Sequence, residues 1–330
     1  MTELESREIL EQVYFERYKN GVQNRVLSVI NGACNRVKEE LRKTDGVYTK
    51  ARYREVEKAL RQVAREVKES MDAELDVESV IDYEIGKQSE LLREYGNLVD
   101  LTLPTAEQIV SAIEFKPIVN MTYQSYLNGI EANFYNVWDT QVRTGYLTGE
   151  TTQAIIRKVM GRVAGNAQLA EVGKIQALRN SVTANTRTAL QAFANETRME
   201  VFSRNDDLFN GYRWVATLDR RTCIVCGAYD GKMYKNMKKI PDIPLHVNCR
   251  CLVIPVMKND VGFTDTRASE GGQVDVKITF EDWLKAQPKS IQKDVLGSTR
   301  YDLFEQGKAD LKTFISDNKV MTLDELKKVG

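Results

Sequence analysis

Residues 223–251 read CIVCGAYDGKMYKNMKKIPDIPLHVNCRC and hold four of the five cysteines and the only histidine of the 330-residue chain. Cys223 and Cys226 form a Cys-x2-Cys pair, and His246-x2-Cys249-x-Cys251 closes the loop. Zn²⁺ takes four Cys or His ligands in tetrahedral geometry, and two ligand pairs at this spacing supply them. The expected set is Cys223, Cys226, His246 and Cys249. In an extended strand Cys249 and Cys251 point to the same face, so Cys251 stays open as the alternative ligand. Three thiolates and one imidazole leave no free coordination position, which marks a structural ion and not a catalytic one. Disulfides and packed free thiols are the rival readings. Gly227, directly after the second cysteine, is expected to serve a tight knuckle by tolerating positive φ.

The text around this cluster is β-rich. Tyr212-Arg-Trp-Val-Ala-Thr217 alternates as a strand does, Asp230-Gly231 is a hairpin-type turn, and Cys249 to Val256 reads as a closing strand. Few large apolar residues lie between Tyr212 and Val256. Metal ligation is therefore expected to stand in for a core, with binding free energy on the order of 10 kcal/mol becoming folding free energy. Three thiolates on Zn²⁺ leave about one net negative charge, which Arg220, Arg221, Lys232 and Arg250 are placed in sequence to offset.

Upstream, the chain reads as helix. Leu27, Ile30, Cys34, Val37 and Leu41 recur at steps of three and four, and Tyr53, Val56, Leu60, Val63 and Val67 do the same. A third stripe runs from Val77 to Tyr95, and Thr44-Asp45-Gly46 is a turn signal between the first two. Thr105-x-x-Gln108 is a capping box, Thr152 to Met160 a short helix, and Leu169 to Phe202 a helix rich in small residues. Downstream, Thr279-x-x-Asp282 and Thr322-x-x-Glu325 start helices. Trp138, Trp214 and Trp283 are expected to be packing residues, and Cys34 a core thiol.

The fold expected is mainly α: a long helical N-terminal region, a small inserted zinc-stabilised β module and a helical C-terminal segment. Its divisions are an elongated helical region at 1–100, a helical region at 101–210, the zinc module at 211–257, a linker at 258–278 and the C-terminal helices at 279–330.

Composition narrows the function. With 47 basic and 47 acidic residues the net charge is zero, which gives no support to a general coat for nucleic acid. No apolar run approaches the roughly 20 residues that span a bilayer, and MTELESREILEQ at the N-terminus has no apolar signal core. A reducing compartment is expected, where clustered cysteines favour metal over disulfides. Asp219, His246 and a thiolate could form a nucleophile–base set, but one histidine cannot be both ligand and general base. The expectation is a protein that is not an enzyme.

The order Trp214-x-Ala216-Thr217-x-Asp219-x-Arg221-Thr222-Cys223-x2-Cys226, then Asp230-Gly231, then Pro244-x-His246-x2-Cys249-Arg250-Cys251, resembles the Mu F-like head-morphogenesis family of tailed phages. Thr186-Arg187-Thr188-Ala189 and Thr279-Phe-x-x-Trp283-Leu-x-x-Gln287-Pro288 are also similar, as are Leu296-Gly297 and Thr322-Leu-x-x-Leu326, so the likeness runs from about residue 145 to the end. The resemblance implies a minor head (minor capsid) protein at the portal vertex or capsid interior of the virion, present in the host cytoplasm during assembly. Implied partners are the portal protein and the major capsid or scaffolding protein, with non-specific contact to phage double-stranded DNA. The alternative is an internal virion DNA-binding protein ejected with the genome. Many members replace the first cysteine pair with other residues, so the resemblance by itself does not imply a metal; this chain keeps the full set.

Overall fold

The structure, a computed structural model, describes residues 3–43, 49–96, 100–162, 171–258 and 266–329. It is mainly helical. In chain order the elements are α1 (Glu3–Lys43), α2 (Lys50–Leu75), α3 (Val77–Gly96), α4 (Ala106–Glu114), α5 (Tyr123–Leu147), α6 (Thr152–Met160), β1 (Gly161–Arg162), β2 (Glu171–Val172) and α7 (Ile175–Arg204). The second half contains β3 (Phe209–Val215), α8 (Ile224–Tyr229), β4 (Met233–Tyr234), β5 (Leu252–Met257), β6 (Thr266–Ser269), β7 (Gly272–Asp275), α9 (Phe280–Lys285), α10 (Lys289–Leu296), α11 (Ser298–Glu305), β8 (Ile315–Ser316), β9 (Lys319–Val320) and α12 (Leu323–Val329). Thr44-Asp45-Gly46 and Leu169 lie outside the described residues.

The chain divides into two compact units made of interleaved segments. One consists of Arg17–Val77 and Ala112–Leu190. Here the apolar stripes do what their spacing predicts: Ile30, Cys34, Val37 and Leu41 of α1 and Val56, Leu60, Val63 and Val67 of α2 are buried, while Leu27 and Tyr53 are partly so. Thr49, Thr122 and Thr151 cap α2, α5 and α6 by accepting from the amides of Arg52, Ser125 and Ala154. Asp76 ends α2 in the left-handed region at φ 41°, which breaks the helix before α3. Polar bonds then tie the helices together: Tyr53 Oη donates to Asp139 at 2.6 Å, Arg179 Nη2 to Asn31 at 2.7 Å, and Tyr126 Oη lies 2.9 Å from Thr186 Oγ1. Trp138 is fully buried here, as expected of a packing residue.

The other unit consists of Met1–Glu16, Glu78–Ser111 and Gln191–Gly330. Its sheet has the order β4-β3-β5 with antiparallel pairing, Tyr212 facing Tyr234 and Trp214 facing Val253. A register shift between Phe209 and Gly211 bends the central strand. The expected capping boxes form. Thr105 and Gln108 bond reciprocally, as do Thr279 with Asp282 and Thr322 with Glu325.

Three expectations are corrected here. The β module does not lack a core: Tyr212, Trp214, Tyr234 and Val253 share one with Leu4, Leu91, Leu92, Val201 and Phe202 from α1, α3 and α7. Counting only the module's own apolar residues missed the helices it packs on. The span expected as a linker, 258–278, contains the β6–β7 hairpin, turning at Glu270-Gly271. Its polar text is the signature of a hairpin exposed on one side, with Arg267 buried on the other; Asn259, Asp260 and Gly262 lie outside the described residues. Finally, Gly227 needs no positive φ. It sits within α8, and a Cβ there would lie 2.2 Å from the Phe280 ring.

This unit also contains a buried ionic cluster that sequence periodicity did not single out. Arg198 of α7 pairs with Glu84 of α3, and Lys87 Nζ lies 2.8 Å from the same carboxylate. Burial pushes the Glu84 carboxyl up, but the charges of Arg198 and Lys87 outweigh it and bring it to about 2. Glu8 of α1 is buried beside them with neither carboxyl oxygen hydrogen-bonded. Burial raises its pKa above the usual carboxyl range despite Lys87 and Arg198.

Candidate metal centre

Each cysteine pair is positioned by its own local device. Cys223 is the N-cap of α8: its Sγ accepts from the Cys226 amide at 3.4 Å, and its carbonyl accepts from the Gly227 amide at 2.9 Å. This first helical turn fixes the two sulfurs on one side. On the second pair, the Cys249 amide donates to the His246 carbonyl at 3.1 Å, with Asn248 at φ 61°. Asparagine is among the residues that enter the left-handed region most readily, so Asn248 has the conformational role first given to Gly227. Cys251 directly precedes β5, and its carbonyl accepts from Asn195 Nδ2 at 3.2 Å and Gln191 Nε2 at 3.3 Å, both on α7. Cys249 and Cys251 thus stand before the strand and not within it.

All five sequence-selected residues come together. His246 Nε2 lies 3.2 Å from Cys223 Sγ and 3.1 Å from Cys226 Sγ, and Cys226 Sγ lies 3.9 Å from Cys249 Sγ. Among the described residues, two groups could hold a metal ion: Cys223 with Cys226 and His246, and Cys226 with Cys249 and Cys251. Cys226 belongs to both. Tetrahedral Zn²⁺ with ordinary bond lengths places sulfurs about 3.8 Å apart and a sulfur about 3.6 Å from a nitrogen. The three separations fall within about half an ångström of those edges, but the expected four do not form one group: Cys249 clusters with Cys226 and Cys251, and not together with Cys223 and His246.

The electrostatics follow from crowding. Hydrogen bonding from Cys226 and the proximity of His246 bring the Cys223 thiol down to about 5. The Cys249 thiol is likewise well below its ordinary range, held there by bonds from Cys226 and Cys251. Cys226 is pushed up because it donates to its neighbours, and burial pushes Cys251 up. His246 rises to about 9 through its bond to Cys223. The cluster thus favours anionic sulfur at Cys223 and Cys249, where a cation is the natural complement.

The neighbouring cations have other partners besides the sulfurs, although Arg250 also interacts electrostatically with Cys251. Arg250 makes two bonds to Asp219, one through Nη2 at 2.7 Å. Burial pushes the Asp219 carboxyl up, but Arg250 outweighs it and leaves the group below its usual range. Arg220 lies 3.1 Å from Glu270, and Lys232 stands 4.9 Å over the rings of Tyr229 and Tyr234. Of the nucleophile–base set, His246 and a thiol do come together, but among the described residues no hydrogen bond joins Asp219 to His246, whose Nδ1 lies 2.9 Å from the Val247 carbonyl.

Beside the cluster, Asp230 and Arg267 form a second constellation that the sequence reading missed. Asp230 accepts from the Ala216 and Phe280 amides, each at 2.8 Å, and from Arg267. Arg267 in turn donates to the carbonyls of Ala216 and Ile278. The signal available was Asp230-Gly231, read only as a turn.

Residues 137–254 match the family model described as Phage Mu protein F like protein. The match runs from within α5 to the middle of β5 and includes all five metal candidates; the similar text at 279–326 lies outside it. No curated protein and no solved structure matches the chain.

Proposed function

We propose that the chain is a non-enzymatic minor head (minor capsid) protein of a tailed phage, acting in head morphogenesis at the portal vertex or inside the capsid. The observation that carries this is the family match across residues 137–254, which points to a phage head-related protein. The side-chain chemistry agrees with a structural part: the one histidine is packed against two thiols, and Asp219 is tied to Arg250. Among the described residues no helix is long and apolar enough to cross a membrane.

The proposed ion is Zn²⁺ on Cys223, Cys226, His246 and Cys249, with Cys251 as the alternative fourth ligand. Bound there, it would hold the α8 turn to the 246–251 segment in a closed shell and convert binding free energy into local folding free energy. The chain's own residues do the rest. Asp219 and Arg250 brace the turn before Cys223, and the Cys251 carbonyl anchors the second pair to α7. Contact with portal, major capsid or scaffolding protein would be adhesive, through the helical surfaces.

The reading is tested on particles. The protein should co-sediment with purified procapsids, and heads assembled without its gene should be defective. A protein absent from procapsids and virions alike would refute it. Metal analysis of the purified protein should find about one zinc per chain, falling in Cys223→Ser.

One observation favours the second reading, contact with phage DNA: Lys232, Lys235, Lys238 and Lys239 are all exposed, with no acidic residue between Gly231 and Pro241. Phosphate contacts release counterions, so binding to non-specific duplex should weaken steeply with added salt.

A further inference from the structure

A cavity of about 460 Å³ lies between the N-terminal turns of α1 and the β3–β5 face, within the unit that holds the metal cluster. Ligand pockets span roughly 300–1,000 Å³, so its size is that of a binding site. One side is apolar: Ile9 packs with Val215 and Leu252, and Val13, 37% exposed, opens this slot to solvent. The other side is lined by Arg220, Arg221 and Arg250.

Pairing distinguishes these cations. Arg250 is matched by Asp219, Arg220 by Glu270, and Arg267 behind them by Asp230. Glu16, a further carboxylate on the lining, accepts from the neutral amide of Gln12 and acts electrostatically on Arg250. Among the described residues the one ion-pair partner of Arg221 is Asp219, at 3.7 Å, and that carboxylate already accepts from Arg250, Thr222 and the Arg221 amide. The Arg221 side chain is 76% exposed. A planar guanidinium with so little compensation, beside an apolar slot, matches one carboxylate next to an apolar side chain. A phosphate, carrying about −1.5 to −2, would find too few uncompensated donors. The apolar strip also continues outside the cavity along α1, through exposed Leu10 and Tyr14, farther than a small molecule would need.

We propose that this cavity docks a short acidic–apolar peptide segment of a partner protein. Its apolar side chain sits between α1 and Leu252, and its carboxylate pairs with Arg221. The proposal goes beyond the head reading and needs neither the ion nor the phage assignment.

Panning a random twelve-residue displayed peptide library on the full-length protein tests it. Enriched peptides should carry Asp or Glu beside Leu, Ile or Phe. For a synthetic copy of the best binder, Arg221→Glu and Val13→Asp should each weaken binding at least ten-fold in fluorescence anisotropy, with circular dichroism unchanged. Replacing the peptide's acid by Lys should restore binding to Arg221→Glu and not to the native protein. The proposal is overturned if no peptide is enriched, if the winners lack an acid, or if both variants bind as the native chain does. Displacement of the peptide by inorganic phosphate at concentrations where acetate has no effect would make this a phosphate site and overturn it as well.

Discussion

Arg267 Nη1 lies 3.0 Å from Asp230 Oδ2, in a place where the guanidinium is 4% exposed and the carboxylate fully buried. Backbone groups from two stretches of chain bond to the pair: Ala216 after β3, and Ile278 and Phe280 where β7 leads into α9. The ion pair therefore sets where the sheet, the hairpin and the C-terminal helices meet. Removing one partner of a buried pair leaves an uncompensated charge, which costs about 3–5 kcal/mol. Arg267→Met should lower the unfolding free energy by that much, and with it the denaturation midpoint, and adding Asp230→Asn should recover part of the loss. An Arg267→Met midpoint equal to that of the native protein would show the pair to be incidental.

Gly227 is required by a neighbour and not by its backbone angles. Gly227→Ala would drive a Cβ into the Phe280 ring, and overpacking of this kind costs about 1–3 kcal/mol. Phe280→Leu should relieve the clash, so the double variant should be more stable than the sum of the single effects. Additive thermal shifts would count against this contact.

Two buried carboxyls should shape stability against pH in opposite directions. Glu84 has a folded pKa of about 2, so its contribution is present above about 4.5 and is lost as pH falls toward 2. Glu8 has a raised folded pKa. Below the ordinary carboxyl value both states keep its proton; above it the unfolded chain ionises first, so stability falls as pH rises. Glu8→Gln should remove that decline, giving a flatter urea midpoint between pH 5 and 7 than the native protein shows. Parallel profiles would place Glu8 outside the titration.

Thiol reactivity should separate the cysteines. Burial raises the Cys34 thiol to about 11, so it should react with an aromatic disulfide only on unfolding. Cys223, partly exposed and lowered to about 5, should react in the folded protein once a chelator is added. Rapid labelling of Cys34 before unfolding would contradict the packing described for α1.

Because the module shares its core with α1, α3 and α7, chelation should loosen the 235–251 segment without melting the helices. Amide exchange there should accelerate while helical circular dichroism stays within a few per cent. Global unfolding on chelation would mean that ligation, and not the shared core, holds the module.

Helical stripes such as Val56, Leu60, Val63 and Val67 are local in origin: a period of 3.6 puts them on one face whatever they pack against, and they were legible from residue order alone. The same holds for the threonines of the three capping boxes and for the Cys and His residues that lie close together, since Cys-x2-Cys and His-x2-Cys are short-range patterns. Partnership across the chain was not legible. That Arg250 bonds to Asp219, that Phe280 fills the space beside Gly227, and that Arg267 crosses from an apparent linker to Asp230 depend on contacts between residues tens of positions apart. Spacing determined which side chains carry the chemistry; only tertiary packing decided which charge neutralises which, because a buried charge pairs with whatever the fold brings within reach.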